Sequence, residues 1–148
     1  MTTTAPTTNG RVIALAHYAA RAVLESVLTR HGVTFHQSVT LRAVTLAGGS
    51  VTPERLIADV INSLKIEESA VREVVAELTA AELLEPDPAD AGRLQLTAAG
   101  QELLDTTTTE TAEVSARLYA DIPADDLTVA GRVLTLVTER ANAELGRA

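Results

Sequence analysis

The order of secondary structure is most readable in residues 51–97, which run VTPERLIADVINSLKIEESAVREVVAELTAAELLEPDPADAGRLQLT. Thr52 is predicted to cap a helix, and Pro53 stands at the first helical position, where its missing N–H is not needed. Apolar residues at helical spacing follow. Residues 62–67 are predicted to form a turn into a second helix over residues 68–81. The pattern therefore indicates a helix, a turn and a helix in succession.

A hairpin is predicted after the second of these helices. Leu83–Glu85 and Arg93–Leu96 are short strand candidates, and the turn-forming residues 86–92 separate them. Two helices joined by a turn and followed by a hairpin are the order of a winged helix-turn-helix domain. The expected fold class is therefore mainly α with a small β-wing.

Helices are also predicted before this segment. Residues 11–30 have apolar side chains at helical spacing, and Gly32 is expected to end that helix. Thr34, with Gln37 three residues later, has the spacing of a capping box and opens a helix that continues to Leu46. The apolar stripe of the first helix is wide. A partner subunit is expected to cover part of it, with burial inside its own domain as the alternative.

A long helix and a shorter one are predicted after the hairpin. Thr97 is expected to cap the long helix, which continues through Leu118. Pro123 breaks the chain, and the last helix is predicted over Leu127–Leu145.

Composition limits the classes of protein and site. The chain has 148 residues, which is about the length of one domain, and its hydrophobic fraction of 46% with only 2% aromatic residues favours packed aliphatic helices. No cysteine is present, so disulfides, thiolate catalysis and cysteine-ligated zinc are excluded. Residues 1–9 are Thr-rich without a signal-peptide pattern and are expected to be a disordered arm. No apolar run reaches the roughly 18 residues that a membrane span needs, so a cytoplasmic protein without membrane contact is expected.

The chain resembles the MarR family of winged helix-turn-helix transcriptional regulators over nearly its full length. Six short stretches carry the resemblance in the family's order and at about its spacing. They are Thr34–Gln37, Val51–Leu56, Leu64–Val71, Asp87–Asp90, Leu96–Gly100 and Ile122–Leu127.

The resemblance implies a homodimer that binds double-stranded DNA. Residues 10–32 and 100–148 would supply the dimerisation helices, and residues 33–99 the winged helix-turn-helix lobe, within a single domain overall. One recognition helix from each subunit would enter the major groove, and the wing would reach the minor groove or the backbone. A pocket between the dimerisation helices and the lobe would take a small aromatic or anionic ligand that loosens DNA binding.

The residues expected to contact DNA are Lys65, Ser69, Arg72 and Arg93. Ser69 and Arg72 stand on the predicted recognition helix, and Arg93 is in the wing. Acidic residues surround them: residues 65–93 contain three basic side chains and eight acidic ones. Since carboxylates oppose phosphates, the local charge is poor for DNA binding.

Two functional hypotheses therefore stay open. If several acids face away from DNA, Arg42, Arg55 and Arg72 form a modest basic patch and the protein is a ligand-responsive regulator. Alternatively, the fold has lost DNA binding and acts as a small-molecule-binding protein or, less often, an enzyme.

The candidate ligand-binding residues are His17, Tyr18, Arg21, His36 and Arg42. Histidine, a tyrosine hydroxyl and arginine beside an apolar cavity suit an anionic or phenolic ligand. Acid–base chemistry by the same group, or plain exposed side chains at helix ends, are the alternatives. The sequence contains no recognised metal-ligand spacing, phosphate loop or catalytic signature. No metal, cofactor or catalytic residue is therefore assigned.

Overall fold

The computed structural model describes residues 4–147 and assigns them to six helices and three short strands. The helices are α1 (Gly10–Arg30), α2 (Phe35–Leu46), α3 (Pro53–Leu64), α4 (Glu68–Ala80), α5 (Ala98–Tyr119) and α6 (Ala124–Arg147). The strands are β1 (Ser50–Val51), β2 (Leu84–Asp87) and β3 (Asp90–Leu96). The chain forms two compact units, Met1–Ala112 and Glu113–Ala148. The predicted fold class, mainly α with a small β-wing, is confirmed.

The predicted helix caps are present. Thr34 and Gln37 form the reciprocal capping box of α2, and the Thr52 side chain accepts from the N–H of Arg55 at the start of α3. Thr97 Oγ1 accepts from the N–H of Gly100, as expected for the cap of α5. These side chains satisfy amide groups that have no partner inside a helix, and so they fix where each helix begins.

The turn between α3 and α4 is shorter than predicted. Residues 62–64 are helical, because the half-buried Leu64 packs against the core and thereby extends α3 by almost one turn. Lys65 ends α3 in the left-handed region, with φ of 56°. The turn therefore consists of Lys65–Glu67.

The hairpin is also tighter than predicted, and a third strand was missed. Asp87 and Asp90 accept hydrogen bonds from the amides of Ala89 and Gly92, so the chain reverses over residues 88–89 and the strands extend to 87 and from 90. β1 is only two residues long, and it pairs antiparallel with β3 in a sheet of order β1-β3-β2. A strand this short has too little sequence pattern to be predicted.

The last helix begins three residues before the predicted position. Pro123 immediately precedes it, and Asp125 and Asp126 occupy its first turn, where negative side chains favour the positive end of the helix dipole. α6 therefore spans Ala124–Arg147.

The core of the first unit lies between α2, α3, α4 and the sheet, and is aliphatic as predicted. Leu104 adds a side chain from α5. The core residues are Leu41, Val44, Val51, Leu56, Ile57, Val60, Val71, Val74, Leu78, Leu84 and Leu104. This packing holds the helix-turn-helix segment on a rigid base.

Apolar side chains of α1 remain largely exposed. Only Val27 and Leu28 of this helix are buried, whereas Leu15 and Tyr18 are 53% and 66% exposed. By length and a mean hydropathy of 1.3, α1 is also apolar enough to cross a membrane, although Arg21 and Glu25 interrupt its apolar run. Length and composition alone are weak evidence of a membrane span, and only 11% of the apolar window of α1 is buried, so most of its apolar surface is exposed.

The second unit, taken by itself, has little buried surface. None of the described residues of α6 is buried. Its exposed large apolar side chains are Val129, Leu134, Leu136, Val137 and Leu145. At the other end of the chain, residues 1–3 of the predicted disordered arm lie outside the described residues, and residues 4–9 are in neither helix nor strand.

Candidate nucleic-acid interface

The outer face of α4 is the first component of the candidate interface. Val71, Val74 and Leu78 turn inward at helical spacing and are at most 7% exposed. The opposite side of the helix carries Glu68, Ser69, Arg72 and Glu73, which are all exposed. We call these four residues the recognition face.

The basic side chains around this face have acceptors within the chain. Arg72 Nε lies 3.4 Å from Glu68 Oε2, and both side chains are about 60% exposed (59% and 62%). On α3, Arg55 Nε lies 3.6 Å from Asp59 Oδ2. Lys65 Nζ donates to the Oδ1 of Asn62 at 3.3 Å. Any phosphate that binds here must compete with these internal partners.

At the base of the wing, Arg93 is held by Ser50. Arg93 Nε donates to Ser50 Oγ at 3.0 Å, and its terminal nitrogen Nη2 donates to the Ser50 carbonyl at 2.6 Å. Ser50 Oγ in turn donates to Asp87 Oδ2 at 2.5 Å. The hydrogen bond from Ser50, followed by that from the backbone amide of Ala89, holds the pKa of Asp87 below its ordinary value of 3.8. Arg93 thus braces the sheet, and Ser50 is the residue that sequence reasoning missed.

Glu77 of α4 is hydrogen-bonded to a neighbouring helix. Gln37 Nε2 donates to Glu77 Oε2 at 3.0 Å and joins the start of α2 to α4. Gln37 also completes the capping box of α2, so its amide serves both helices. The Glu77 carboxylate therefore links α4 to α2.

The predicted ligand residues are brought together only in part. The Arg21 guanidinium lies over the Phe35 ring, 4.1 Å from its centroid, and also pairs with Glu25 at 3.3 Å. His36 follows Phe35 directly and is half-buried. Phe35, a residue that was not predicted to take part, is thus the residue that joins α1 to this cluster.

The remaining ligand candidates lie outside that contact. His17 and Tyr18 are exposed neighbours on α1, with ring centroids 5.9 Å apart, and Arg42 is exposed on α2. An open cavity of about 370 Å³ lies elsewhere and includes none of the five candidates. Its lining consists of Thr45, Gly48, Gly49, Gln95, Leu96 and Gln101.

A second charged cluster was not expected from the sequence. Glu110 of α5 accepts from His31 Nε2 at 3.0 Å and from Arg30 at 3.1 Å, both at the end of α1. The hydrogen bonds from His31 and then from Arg30 hold the pKa of Glu110 below its ordinary value of 4.5. Nothing in the low-complexity segment around Glu110 signals this contact. Among residues 4–147, no group of three or more His, Asp or Glu is arranged to hold a metal ion.

Comparisons with known proteins identify the fold. No protein-family model and no curated protein matches the chain. Solved structures of transcriptional regulators do. A mutant MarR from E. coli in complex with operator DNA superposes with a TM-score of 0.69 at 19% identity, covering 86% of this chain and 91% of that one.

Two further structures show the same likeness. A MarR-family regulator from Rhodococcus sp. RHA1 has a TM-score of 0.72 at 17% identity, over 87% of this chain and 92% of that one. BpsR of Bordetella bronchiseptica, whose DNA binding is regulated by 6-hydroxynicotinic acid, has a TM-score of 0.69 at 21% identity, over 87% and 97%. The chain therefore has the winged helix fold of MarR-family regulators, as the resemblance in sequence predicted.

Proposed function

We propose that this chain is a cytoplasmic MarR-family transcriptional regulator that binds double-stranded DNA as a homodimer and responds to a small aromatic or anionic ligand. The observation that carries the proposal is the recognition face, which projects Ser69 and Arg72 from a helix whose other side is fixed in the core. The same fold is found in a regulator solved on its operator.

In this proposal α4 enters the major groove. Ser69 and Arg72 contact base edges or phosphates, and Lys65 adds a positive charge in the turn just before the helix. Arg93 has a different role from a mobile wing arginine, because its bonds to Ser50 hold it against the sheet. It orients the wing and contributes its charge from a fixed position.

The acidic residues around the recognition face affect both the affinity for DNA and its salt dependence. Each phosphate neutralised by Lys or Arg steepens the salt dependence of affinity by about 0.9 in the log–log slope. Few cations surround the recognition face, and Arg55 and Arg72 already have acidic partners. We therefore expect modest affinity and a shallow salt slope, with more of the binding free energy coming from base contacts.

Dimerisation is proposed because the chain leaves apolar helix surface uncovered. Leu15 and Tyr18 on α1 are more than half exposed, and α6 exposes an apolar series of its own. Exposed apolar surface on a helix, considered in each unit by itself, is typical of a protein interface. A second copy of the chain is the partner that the fold family implies.

The ligand proposal rests on the Arg21–Phe35 contact. A guanidinium stacked on an aromatic ring, next to the half-buried His36, offers a cation and a flat apolar surface to an aromatic anion. His17, Tyr18 and Arg42 would complete the pocket in the dimer. The regulation of BpsR by an aromatic acid supports this ligand class.

The decisive test is binding of the purified chain to a library of genomic DNA fragments at about 50 and 200 mM salt, a range over which phosphate-driven affinity falls. Wild type is expected to retain specific fragments at the lower salt, and Arg72→Ala is expected to lose them. Arg147→Ala is the matched control, because Arg147 is also exposed and also pairs with a glutamate of its own helix.

A second function is favoured by the charge of the interface. If a folded wild-type protein retains no fragment at either salt, the acids of α4 have abolished DNA binding. The protein would then be a small-molecule-binding relative that has kept the fold, and binding of aromatic acids that is lost in Arg21→Ala would identify it.

A further inference from the structure

We propose that Glu68 and Arg72 act together to read one C·G base pair in the major groove. The Glu68 carboxylate accepts from the cytosine N4 amino group, and the Arg72 guanidinium donates to O6 and N7 of the paired guanine. This inference rests on the proposed DNA-binding function and names the base pair that the recognition helix selects.

The two side chains are positioned as one unit. They lie four residues apart on the same face of α4, and Arg72 Nε is 3.4 Å from Glu68 Oε2. Val71, the residue beside Arg72, is fully buried and fixes the helix backbone beneath them. Both side chains nevertheless remain more than half exposed, so they are accessible from the groove.

Their hydrogen-bonding groups match one base-pair edge. A C·G pair presents a donor, then two acceptors, across the major groove. Glu68 supplies acceptors, and the ion pair uses only Nε of Arg72, so four of the five guanidinium N–H donors remain for the guanine. At a T·A pair, the thymine O4 acceptor faces the carboxylate, and the adenine N6 amino group leaves one guanidinium contact without an acceptor. At an A·T pair, the thymine methyl group replaces one of the two acceptors that the guanidinium needs.

The pairing also explains how a carboxylate is tolerated in the groove. Alone, Glu68 would repel the phosphates on both sides of it. Paired with Arg72, it enters the groove as a neutral unit that makes charge-assisted hydrogen bonds. An apparent defect for affinity thus becomes a contact that specifies sequence.

Glu77, a further acid of α4, does not offer the same arrangement. Glu77 accepts from Gln37 and is tied to α2, more than two turns along the helix from Glu68. Substituting Glu77 removes the same charge from the same helix without touching the proposed reading pair. It therefore separates a local contact from a general electrostatic effect.

The test is selection of bound sequences from a randomised duplex library at about 50 mM salt, where phosphate attraction is strong. Wild type is expected to enrich C·G at one position of each half-site. In a defined duplex, replacing that pair by T·A is expected to weaken binding roughly ten- to a hundredfold.

The variants make the assignment to Glu68 specific. Glutamine reads adenine through N6 and N7, so Glu68→Gln is expected to change the selected pair from C·G to A·T. Glu77→Gln is expected to keep C·G. Glu68→Gln and Glu77→Gln each remove one negative charge, so both variants are expected to bind DNA more tightly to the same extent. Any difference between the base pairs that they select therefore comes from the position of the substitution and not from charge.

Two results would count against the proposals, and they differ. If wild type selects DNA but Glu68→Ala, which has no acceptor, selects the same sequence, Glu68 does not read a base, and the inference fails while DNA binding stands. If neither wild type nor the variants retain any duplex, although circular dichroism shows them folded, DNA binding itself fails.

Discussion

Ser50 Oγ donates a hydrogen bond to Asp87 Oδ2 and thereby ties β1 to β2 across β3, the strand that lies between them. The same hydroxyl accepts from Arg93 Nε at 3.0 Å. One small side chain therefore connects all three strands of the wing. We therefore expect both the position of the wing and the orientation of the Arg93 side chain to depend on Ser50.

Ser50→Ala is expected to loosen the wing without unfolding the chain. The variant removes the donor to Asp87 and one acceptor of Arg93, so the pKa of Asp87 should rise toward its ordinary value of 3.8. Since a lowered pKa stabilises the folded state above pH 3.8 and that contribution disappears as the carboxylate is protonated, the wild-type advantage should vanish in acid.

Amide hydrogen exchange in β2 and β3, and a carboxyl NMR titration of Asp87, measure these effects. Ser63→Ala is the matched control, because Ser63 Oγ donates only to a carbonyl of its own helix. Faster exchange confined to the wing in Ser50→Ala supports the account. Unchanged exchange would show that backbone pairing alone holds the hairpin.

Gly100→Ala is expected to destabilise the first unit. A Cβ at this position would collide with the carbonyl oxygen of Leu83, and the carbonyl carbon lies only 3.1 Å away. That carbonyl also accepts from Thr97, so it cannot withdraw without loss. Overpacking of this kind costs about 1–3 kcal/mol, more than the gain of about 1 kcal/mol in helix propensity.

Thermal unfolding measures the change, with Gly131→Ala as the control. Gly131 is exposed in the middle of α6, and no atom lies within 4 Å of its added Cβ. The control is therefore expected to be neutral or stabilising. A midpoint for Gly100→Ala as high as wild type would show that α5 can move away from Leu83.

The part of the fold that sequence predicted is the part whose signals are local. The caps at Thr34, Thr52 and Thr97 involve residues only three positions apart, and each is present in the structure. The predicted end of α3 was wrong because Leu64 packs against the core, and the spacing of neighbouring residues does not predict tertiary packing.

The site shows the same division. The sequence predicted which residues would lie on α4, but it predicted only some of the residues with which they form ion pairs and hydrogen bonds. Arg72 and Glu68 have helical spacing and their pairing can be inferred, whereas the contact of Ser50 with Arg93 joins residues 43 positions apart. Arg21 over Phe35 likewise depends on how α1 crosses α2.

Glu110→Gln is expected to reduce stability near neutral pH but not in acid. Hydrogen bonds from His31 and Arg30 lower the pKa of Glu110 below its ordinary value of 4.5. Its contribution is therefore present above pH 4.5 and is lost as pH falls through the lowered folded value. The unfolding curves of variant and wild type should differ at about pH 6 and converge at about pH 3.

Urea unfolding at a series of pH values provides the measurement. Glu102→Gln is the matched control, since Glu102 is an exposed glutamate on the same helix. It should shift stability little at any pH. A constant difference between Glu110→Gln and wild type across the whole range would mean that the charge of Glu110 is not what stabilises the contact.

Leu15→Asp is expected to convert the proposed dimer to a monomer. Leu15 is 53% exposed on α1, three residues from Tyr18, which is 66% exposed. An aspartate there would be buried without a partner in a dimer but solvated in a monomer, so the substitution penalises association far more than folding.

Light scattering coupled to size exclusion, at several protein concentrations, distinguishes the two states. Leu46→Asp is the control, because Leu46 is even more exposed, at 80%, but lies on α2 and outside the proposed interface. Wild type and Leu46→Asp should elute as dimers, and Leu15→Asp as a folded monomer. A monomeric wild type at high concentration would refute the homodimer. Specific DNA binding would then have to come from one recognition helix, whose few cations make that costly.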